Sequence, residues 1–179
     1  MKHWIGGIFI ALWGSAIVVG LWLYGQDQIT DFDPNGRLYT SASQPNFDQS
    51  VVSSLYKLGA TKASIVHLES QQHCYCNELS EIHQSELVQE LSGAGYNLVK
   101  VHIENDPVLT AALSTFPALA IIDENDQLRY LGPYATGYGC FTGDDDLTKF
   151  VGRLALQESV LGAVVNSDAE GCYCLLSSL

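Results

Sequence analysis

The sequence predicts an α/β domain, with a central mixed sheet flanked by helices, carried behind one N-terminal membrane-spanning helix. Three observations lead there. The first two dozen residues are apolar and almost uncharged; from residue 46 onward, helical apolar periodicity alternates with short strand-like runs; and two of those runs are joined closely enough to form a hairpin before a last helix.

The leader comes first. Trp4 to Tyr24 contains no charged residue over 21 positions, and at about 1.5 Å per helical residue it reaches roughly 31 Å, the thickness of a bilayer's hydrocarbon core. Lys2 precedes the run, whereas Asp27, Asp31 and Asp33 follow it and no basic residue appears before Arg37. That bias leaves the N-terminus in the cytoplasm and exports the rest as a single-pass inner-membrane protein with a periplasmic or otherwise extracytoplasmic domain. A cleaved signal peptide is the competing reading, but its apolar stretch is normally shorter and ends at a small-residue site. Here the run continues to Trp22 and Tyr24, aromatic residues suited to a membrane interface, so an uncleaved anchor is expected. The chain divides into an anchor over 1–25, a polar, turn-rich linker over 26–45, and a folded domain with a cysteine-containing tail over 46–179.

Charge excludes one class of function. The chain holds 20 acidic and 8 basic residues, a net −12, and without Lys2 the remainder stands at −13. Such a surface repels nucleic acid and anionic lipid headgroups, so no nucleic-acid partner is expected. All five cysteines lie beyond the leader, in an oxidising compartment if the orientation is right, where disulfides persist. Five is odd, so at least one thiol stays unbridged, ligates a metal or pairs with another molecule.

The elements follow in order. A short strand is expected around Leu38 and Tyr39 at the end of the linker. Asn46 with Gln49 three residues on resembles a capping box, opening a helix with Val51, Val52, Leu55 and Leu58 inward and ending at Gly59. "ASIVHLES", 63–70, is a buried strand, and from Asn77 a helix presents Leu79, Ile82, Leu87 and Leu91 until Gly93 and Gly95 stop it. "YNLVKVHIE" alternates as a strand; "PVLTAALS" is a short helix with Pro107 in its first turn; "TFPALAIID" and "QLRYLGPY" form the hairpin. Asp144, Asp145 and Asp146 place negative charge at the start of a final helix from Leu147 to about Val165, where the helix dipole favours it.

This order, with "CYC" at 74–76 between a core strand and the next helix and "TFP" at 115–117 opening a later strand, resembles the thioredoxin-like superfamily over roughly Ala63 to Val165. The chain is identified as a divergent, membrane-anchored member with CxC in place of CxxC. The resemblance implies a redox site at the cysteines and a cis-proline at Pro117 facing it. It also implies that Thr115, Phe116 and Pro117 bind the extended backbone of a protein thiol or disulfide substrate. The buried acid of the family's pattern falls here on Leu68, between His67 and Glu69.

Physical chemistry gives the motif its roles. A thiol at a helix N-terminus faces unpaired N–H groups and the positive end of the dipole, which stabilise its thiolate. Cys74, the outer member, is the expected nucleophile; Cys76 resolves; His73 adds positive charge when protonated. A ring closed between Cys74 and Cys76 is small and strained, hence readily reduced. Thiol–disulfide exchange without a cofactor is the expected function, two buried apolar-like cysteines being the plain alternative.

Three cysteines remain, Cys140 in "GYGCF" and Cys172 with Cys174 in "GCYC". Cys74, Cys76, Cys172 and Cys174 together offer four soft thiolates to Cu or Zn, with His73 as an additional ligand, which makes a non-enzymatic metal-binding module the rival function. A redox-inactive fold that binds a protein partner is a third. The tail could also fold back so that Cys172 or Cys174 exchanges disulfides with Cys74, or be pinned by a bridge from Cys140 to Cys172 or Cys174. His67 reads as a half-buried strand residue and His83 as solvent-facing. The adjacent acids at 144–146 lack the alternation of a calcium loop.

Overall fold

The computed structural model describes residues 2–26, 29–137, 139–142, 146–157 and 162–176. Helix α1 (Lys2–Gln26) is followed by β1 (Thr30–Asp31), α2 (Arg37–Ala42), α3 (Phe47–Lys57), β2 (Ser64–Glu69), α4 (Tyr75–Leu91), β3 (Asn97–His102), α5 (Pro107–Ala112), β4 (Thr115–Phe116) and β5 (Ala118–Ile122). Then come β6 (Leu128–Gly132), α6 (Gly139–Thr142), α7 (Asp146–Ala155), β7 (Val164–Val165), β8 (Glu170–Gly171) and β9 (Cys174–Leu175).

One five-stranded mixed sheet, in the order β3-β2-β5-β6-β7, organises the molecule. Strand β2 pairs in parallel with β3 and antiparallel with β5, β6 is antiparallel to β5, and β7 closes the edge parallel to β6. The parallel β2–β3 pair needs a crossover, which α4 supplies. Because side chains alternate along a strand, each strand feeds both faces. Val66, Leu68, Ala118, Ala120 and Ile122 join Val51, Leu55 and Leu109 in one core, whereas Ile65, Leu119 and Ile121 join Leu87, Leu91, Val151 and Leu154 in the other. Helices α3 and α5 therefore cover one face, α4 and α7 the other. Strand β2 lies inside the sheet between β3 and β5, its first five residues buried, as a strand covered on both sides must be.

Helix α1 is apolar enough to cross a membrane, with a mean hydropathy of 2.0 over Gly6–Gly25, and none of that window is buried among the described residues. Where Pro107 opens α5, Asp106 caps it, its carboxylate accepting from the N–H groups of Val108 and Leu109.

Several expectations are corrected. The segment 29–45 is no linker: β1 pairs with β8, and Phe32 and Leu38 are buried in the first core. Leu38 and Tyr39 sit in a helix, not a strand, its start held by the Asp33 carboxylate accepting from the N–H groups of Arg37 and Tyr39. Asn46 precedes α3 but makes no side-chain cap, and the Asp48 carboxylate instead accepts from the N–H of Ala163. Helix α7 is shorter than expected, and Val164 and Val165 extend the sheet. Of the acidic cluster, Asp146 opens α7; Asp144 and Asp145 lie outside the described residues, as do Met1, 158–161 and the last residues of the tail, 177–179. Helix α4 starts at Tyr75, not Asn77, and turns Cys76, Ser80, His83, Gln84, Leu87 and Leu91 inward, leaving Ile82 47% exposed. His83, expected in solvent, is 1% exposed. The apolar residues alone misplace the inward face because half of that face is polar.

Candidate functional site

Beyond β2 the chain makes a tight turn before α4. Ser70 donates its hydroxyl to Glu104, which also accepts from the N–H of Gln71, and the Ser70 oxygen takes the N–H of Gln72 at 3.1 Å. The turn delivers Cys74 in extended conformation at the N-cap of α4, where its carbonyl receives the N–H of Asn77 at 3.0 Å. The thiol-bearing residue thus stands at the helix tip, as the motif's position predicts.

Its partner differs from the one expected. Cys74 and Cys76 are not bridged to each other: Cys74 bonds to Cys174 and Cys76 to Cys172, with Cα–Cα separations of 6.2 and 5.4 Å. Two parallel bonds form because the tail crosses the helix tip in the opposite sense, so the outer cysteine meets the outer and the inner meets the inner. A bridge within the CxC ring has no such unforced geometry. Cys74 is also not exposed; the tail leaves it 4% accessible. Cys140, one of the candidates for pinning the tail, forms no bridge to it and is a buried thiol whose Sγ accepts the N–H of Cys172 at 3.3 Å and whose S–H points to the carbonyl of Ala135 at 3.6 Å. The tail folds back onto the helix tip, where Cys174 and not Cys172 meets Cys74.

Pro117 occupies the neighbouring position. The Phe116–Pro117 peptide is cis, and Pro117 lines one small cavity together with Cys76, His83, Tyr134, Cys140 and Cys172. The tail lies along the preceding residues: β9 pairs antiparallel with β4, Thr115 opposite Leu175 and Phe116 opposite Cys174, and the N–H of Leu176 reaches the carbonyl of Ser114 at 2.9 Å. Thr115 and Phe116 are consequently buried. From the other side, Thr30 pairs with Gly171 and donates its hydroxyl to the carbonyl of Tyr173, while the Phe32 ring meets Tyr173 edge-on at 5.0 Å. Strand β1 with the residues after it and β4 thus hold the tail between them. His73 stays 85% exposed, its Nδ1 3.9 Å from Glu78.

Beneath the bridges lies a polar network that the motif did not announce. His67 shares its face of β2 with Ile65 and so points at α4, fully buried. Its Nε2 lies 3.1 Å from Asn77 Oδ1 and 3.4 Å from Glu69, and its Nδ1 lies 3.1 Å from the Tyr134 hydroxyl. Asn77 donates its amide to Glu69, so its Oδ1 accepts from Nε2–H, and Nδ1 takes the proton of Tyr134. Burial pushes the imidazole pKa down to about 4, against the opposing pull of Glu69, and drives that of the Tyr134 phenol well up. The layer below the cysteines is therefore hydrogen-bonded and uncharged at its ring. Leu68 itself is part of the apolar core and supplies no acid. Only the period-2 pattern of β2 pointed toward His67; Tyr134, Asn77 and Thr148 had no sequence signal.

The sulfur atoms of Cys74, Cys76 and Cys174 all lie within 4.8 Å of one another. While bridged they offer no thiolate; reduced, they form a soft donor set of the kind that suits Cu or Zn.

Residues 43–176 match the family described as Domain of unknown function (DUF6436). No curated protein and no solved structure matches the chain.

Two measurements check the energetics. The Cys74–Cys174 bridge joins residues 100 apart in sequence, worth about 4.7 kcal/mol by loop-closure entropy, but with it in place the second bridge closes only a ring of a few residues, worth about 2 kcal/mol. Denaturant unfolding is expected to show Cys76→Ala/Cys172→Ala losing about 2 kcal/mol and removal of all four cysteines about 7. Equal losses in the two variants would contradict this.

His67 sets the second. Its folded pKa is depressed to about 4, so the unfolded chain binds a proton first as pH falls. The contribution is complete above about pH 6.5 and is lost on descent toward 4, on the order of 3 kcal/mol in all. His67→Gln should flatten the stability profile across that window relative to wild type.

Proposed function

The chain belongs to the DUF6436 family, and we propose that it is a membrane-anchored, extracytoplasmic thioredoxin-like domain that performs thiol–disulfide exchange, with its own tail strand seated in the place of a substrate. One observation carries this reading: Cys174 lies opposite Phe116 in an antiparallel pair and is bonded to Cys74 at the helix tip. An extended cysteine-bearing segment paired beside Pro117 and joined to the N-cap cysteine has the form of a mixed disulfide, here within one chain. The β2–α4–β3 crossover, the β5–β6 hairpin and the meeting of Cys76 and Pro117 around one small cavity support the fold assignment. Lys2 before the apolar run and the acidic residues after it support an exported orientation, with the domain anchored through α1.

The reaction follows from the bonds. A thiolate of a partner protein's dithiol attacks the Cys74 sulfur, the S–S bond to Cys174 breaks, and Cys174 leaves as a thiolate. The partner's second thiol then attacks the mixed disulfide and releases Cys74. The partner dithiol becomes a disulfide, and Cys74 and Cys174 become thiols, each taking up one proton. Release of Cys174 frees β9 from β4, opening the edge that the partner's strand then uses.

The separation of the three sulfurs favours a second reading for the reduced protein, a Cu(I) site on Cys74, Cys76 and Cys174. The two readings exclude each other at any moment, since a bridged sulfur is no thiolate ligand.

The test is oxidation of a model dithiol peptide by the oxidised full chain in detergent. Exchange predicts one equivalent of peptide oxidised for each Cys74–Cys174 bridge, an equivalent that Cys74→Ser loses, and Cys174→Ser, given the peptide disulfide, should accumulate a peptide bonded to Cys74. Undiminished oxidation by Cys74→Ser sinks the proposal. The metal reading instead predicts one Cu(I) per reduced chain in a competition titration, lost in Cys74→Ser.

A further inference from the structure

The second bridge has its own neighbours, and none of them belongs to the exchange step at Cys74. Cys140 Sγ accepts the backbone N–H of Cys172 at 3.3 Å. A Cβ at Gly171 would come within 3.0 Å of the same sulfur and 2.6 Å of the Tyr173 hydroxyl, so a side chain there would push the tail off Cys140. Glycine at 171 is what lets the backbone lie on that sulfur. Cys76, Cys140 and Cys172 border one small cavity, and His83 stands in its wall.

His83 supplies the independent observation. Thr148 Oγ1 donates its single proton to the carbonyl of Tyr134 at 3.0 Å, so at 3.2 Å it accepts from His83 Nδ1–H. The proton on Nδ1 leaves Nε2 as the basic nitrogen, and among the described residues that buried atom has no hydrogen-bond partner. A buried, oriented, unsatisfied base beside a thiol and a disulfide is a costly arrangement to keep without a use.

We propose that Cys140 is an internal exchange thiol: it displaces Cys76 from Cys172, with His83 taking its proton. The Cys140 thiolate, favoured by the N–H it accepts, attacks the Cys172 sulfur; the Cys140–Cys172 bond forms, the Cys76–Cys172 bond breaks, and Cys76 leaves with the electron pair. The proton held on His83 Nε2 passes to Cys76. No electron enters or leaves the chain, so no oxidant or reductant is needed. The released Cys76 lies with Cys74 and Cys174 in one cluster of sulfurs. Its attack on Cys74 forms Cys74–Cys76 and sets Cys174 free as a thiol. The chain would then hold two disulfides as before, with the tail fastened through Cys140 and its outer end released from β4. The isomerisation is independent of any partner reaction, since it requires neither a partner nor electron transfer.

The experiment follows disulfide connectivity in the oxidised full chain, held anaerobically in detergent, quenched with acid, alkylated and mapped by mass spectrometry. The expected result is growth with time of a Cys140–Cys172 cross-linked peptide, with alkylation moving from Cys140 to Cys76 or Cys174. His83→Gln should reach the same distribution at least roughly tenfold more slowly, a kinetic effect that a merely structural histidine would not show. Cys76→Ser tests proximity apart from the base: with oxidised glutathione, Cys140 should bond to Cys172. A wild-type map fixed at Cys76–Cys172, with alkylation on Cys140 alone, overturns the proposal, as does glutathione on Cys172 with Cys140 unbridged in Cys76→Ser. Peptide-dithiol oxidation by Cys140→Ser is scored separately: retained oxidation with no rearranged peptide leaves the Cys74 reaction standing without this relay.

Discussion

A helix tip and a strand lie crossed, and two sulfur bonds hold them so. The α4 N-terminus comes from the turn after the inner strand β2; the strand is the C-terminal tail, nearly 100 residues away in sequence. Everything else around the site adapts to that crossing. Strands β1 and β4 grip the tail from both sides, Phe32 and Tyr173 fill the space under it, and Gly171 thins it where it passes Cys140. Hydrogen bonds of two-residue strands contribute little alone, since each also exists with water in the unfolded chain. The covalent links hold these short pairings in register.

The crossing also decides the electrostatics. An exposed thiol at a helix N-terminus would be tuned by the dipole, but here the tail roofs it and water is displaced. The polar groups below have met that loss by pairing with each other: His67 with Asn77 and Tyr134, His83 with Thr148. A charged group in that layer would face the full cost of burial, which is why the imidazole of His67 is held neutral. Two histidines on neighbouring elements thus take different parts, one saturated with partners and one with an unused nitrogen.

Much of this was legible in the chain and part of it was not, for physical reasons. Buried strands such as 64–69 and helices bounded by Pro107 or Gly59 announce themselves through periodicity and turn chemistry, so the α/β order and the cysteine at a helix tip could be read. The tail's pairing could not. Two-residue strands have no period, and "GCYC" does not encode which distant cysteines it meets. Asp33, Phe32 and Leu38 sit in a polar stretch whose few apolar residues look incidental until the tail is placed over them. His83 was misplaced because Ser80 and Gln84 share its inward face, and a hydrophobic pattern is blind to a polar interior strip.

Strand β1 begins at Thr30, four peptide links after the end of α1 at Gln26, a reach of at most about 14 Å. Thr30 is also the residue that pairs with the tail at Gly171. A bilayer crossed by α1 would therefore lie within that reach of the strand that holds the tail. A partner that lifts the tail from those sulfurs would then have to work close to the lipid surface.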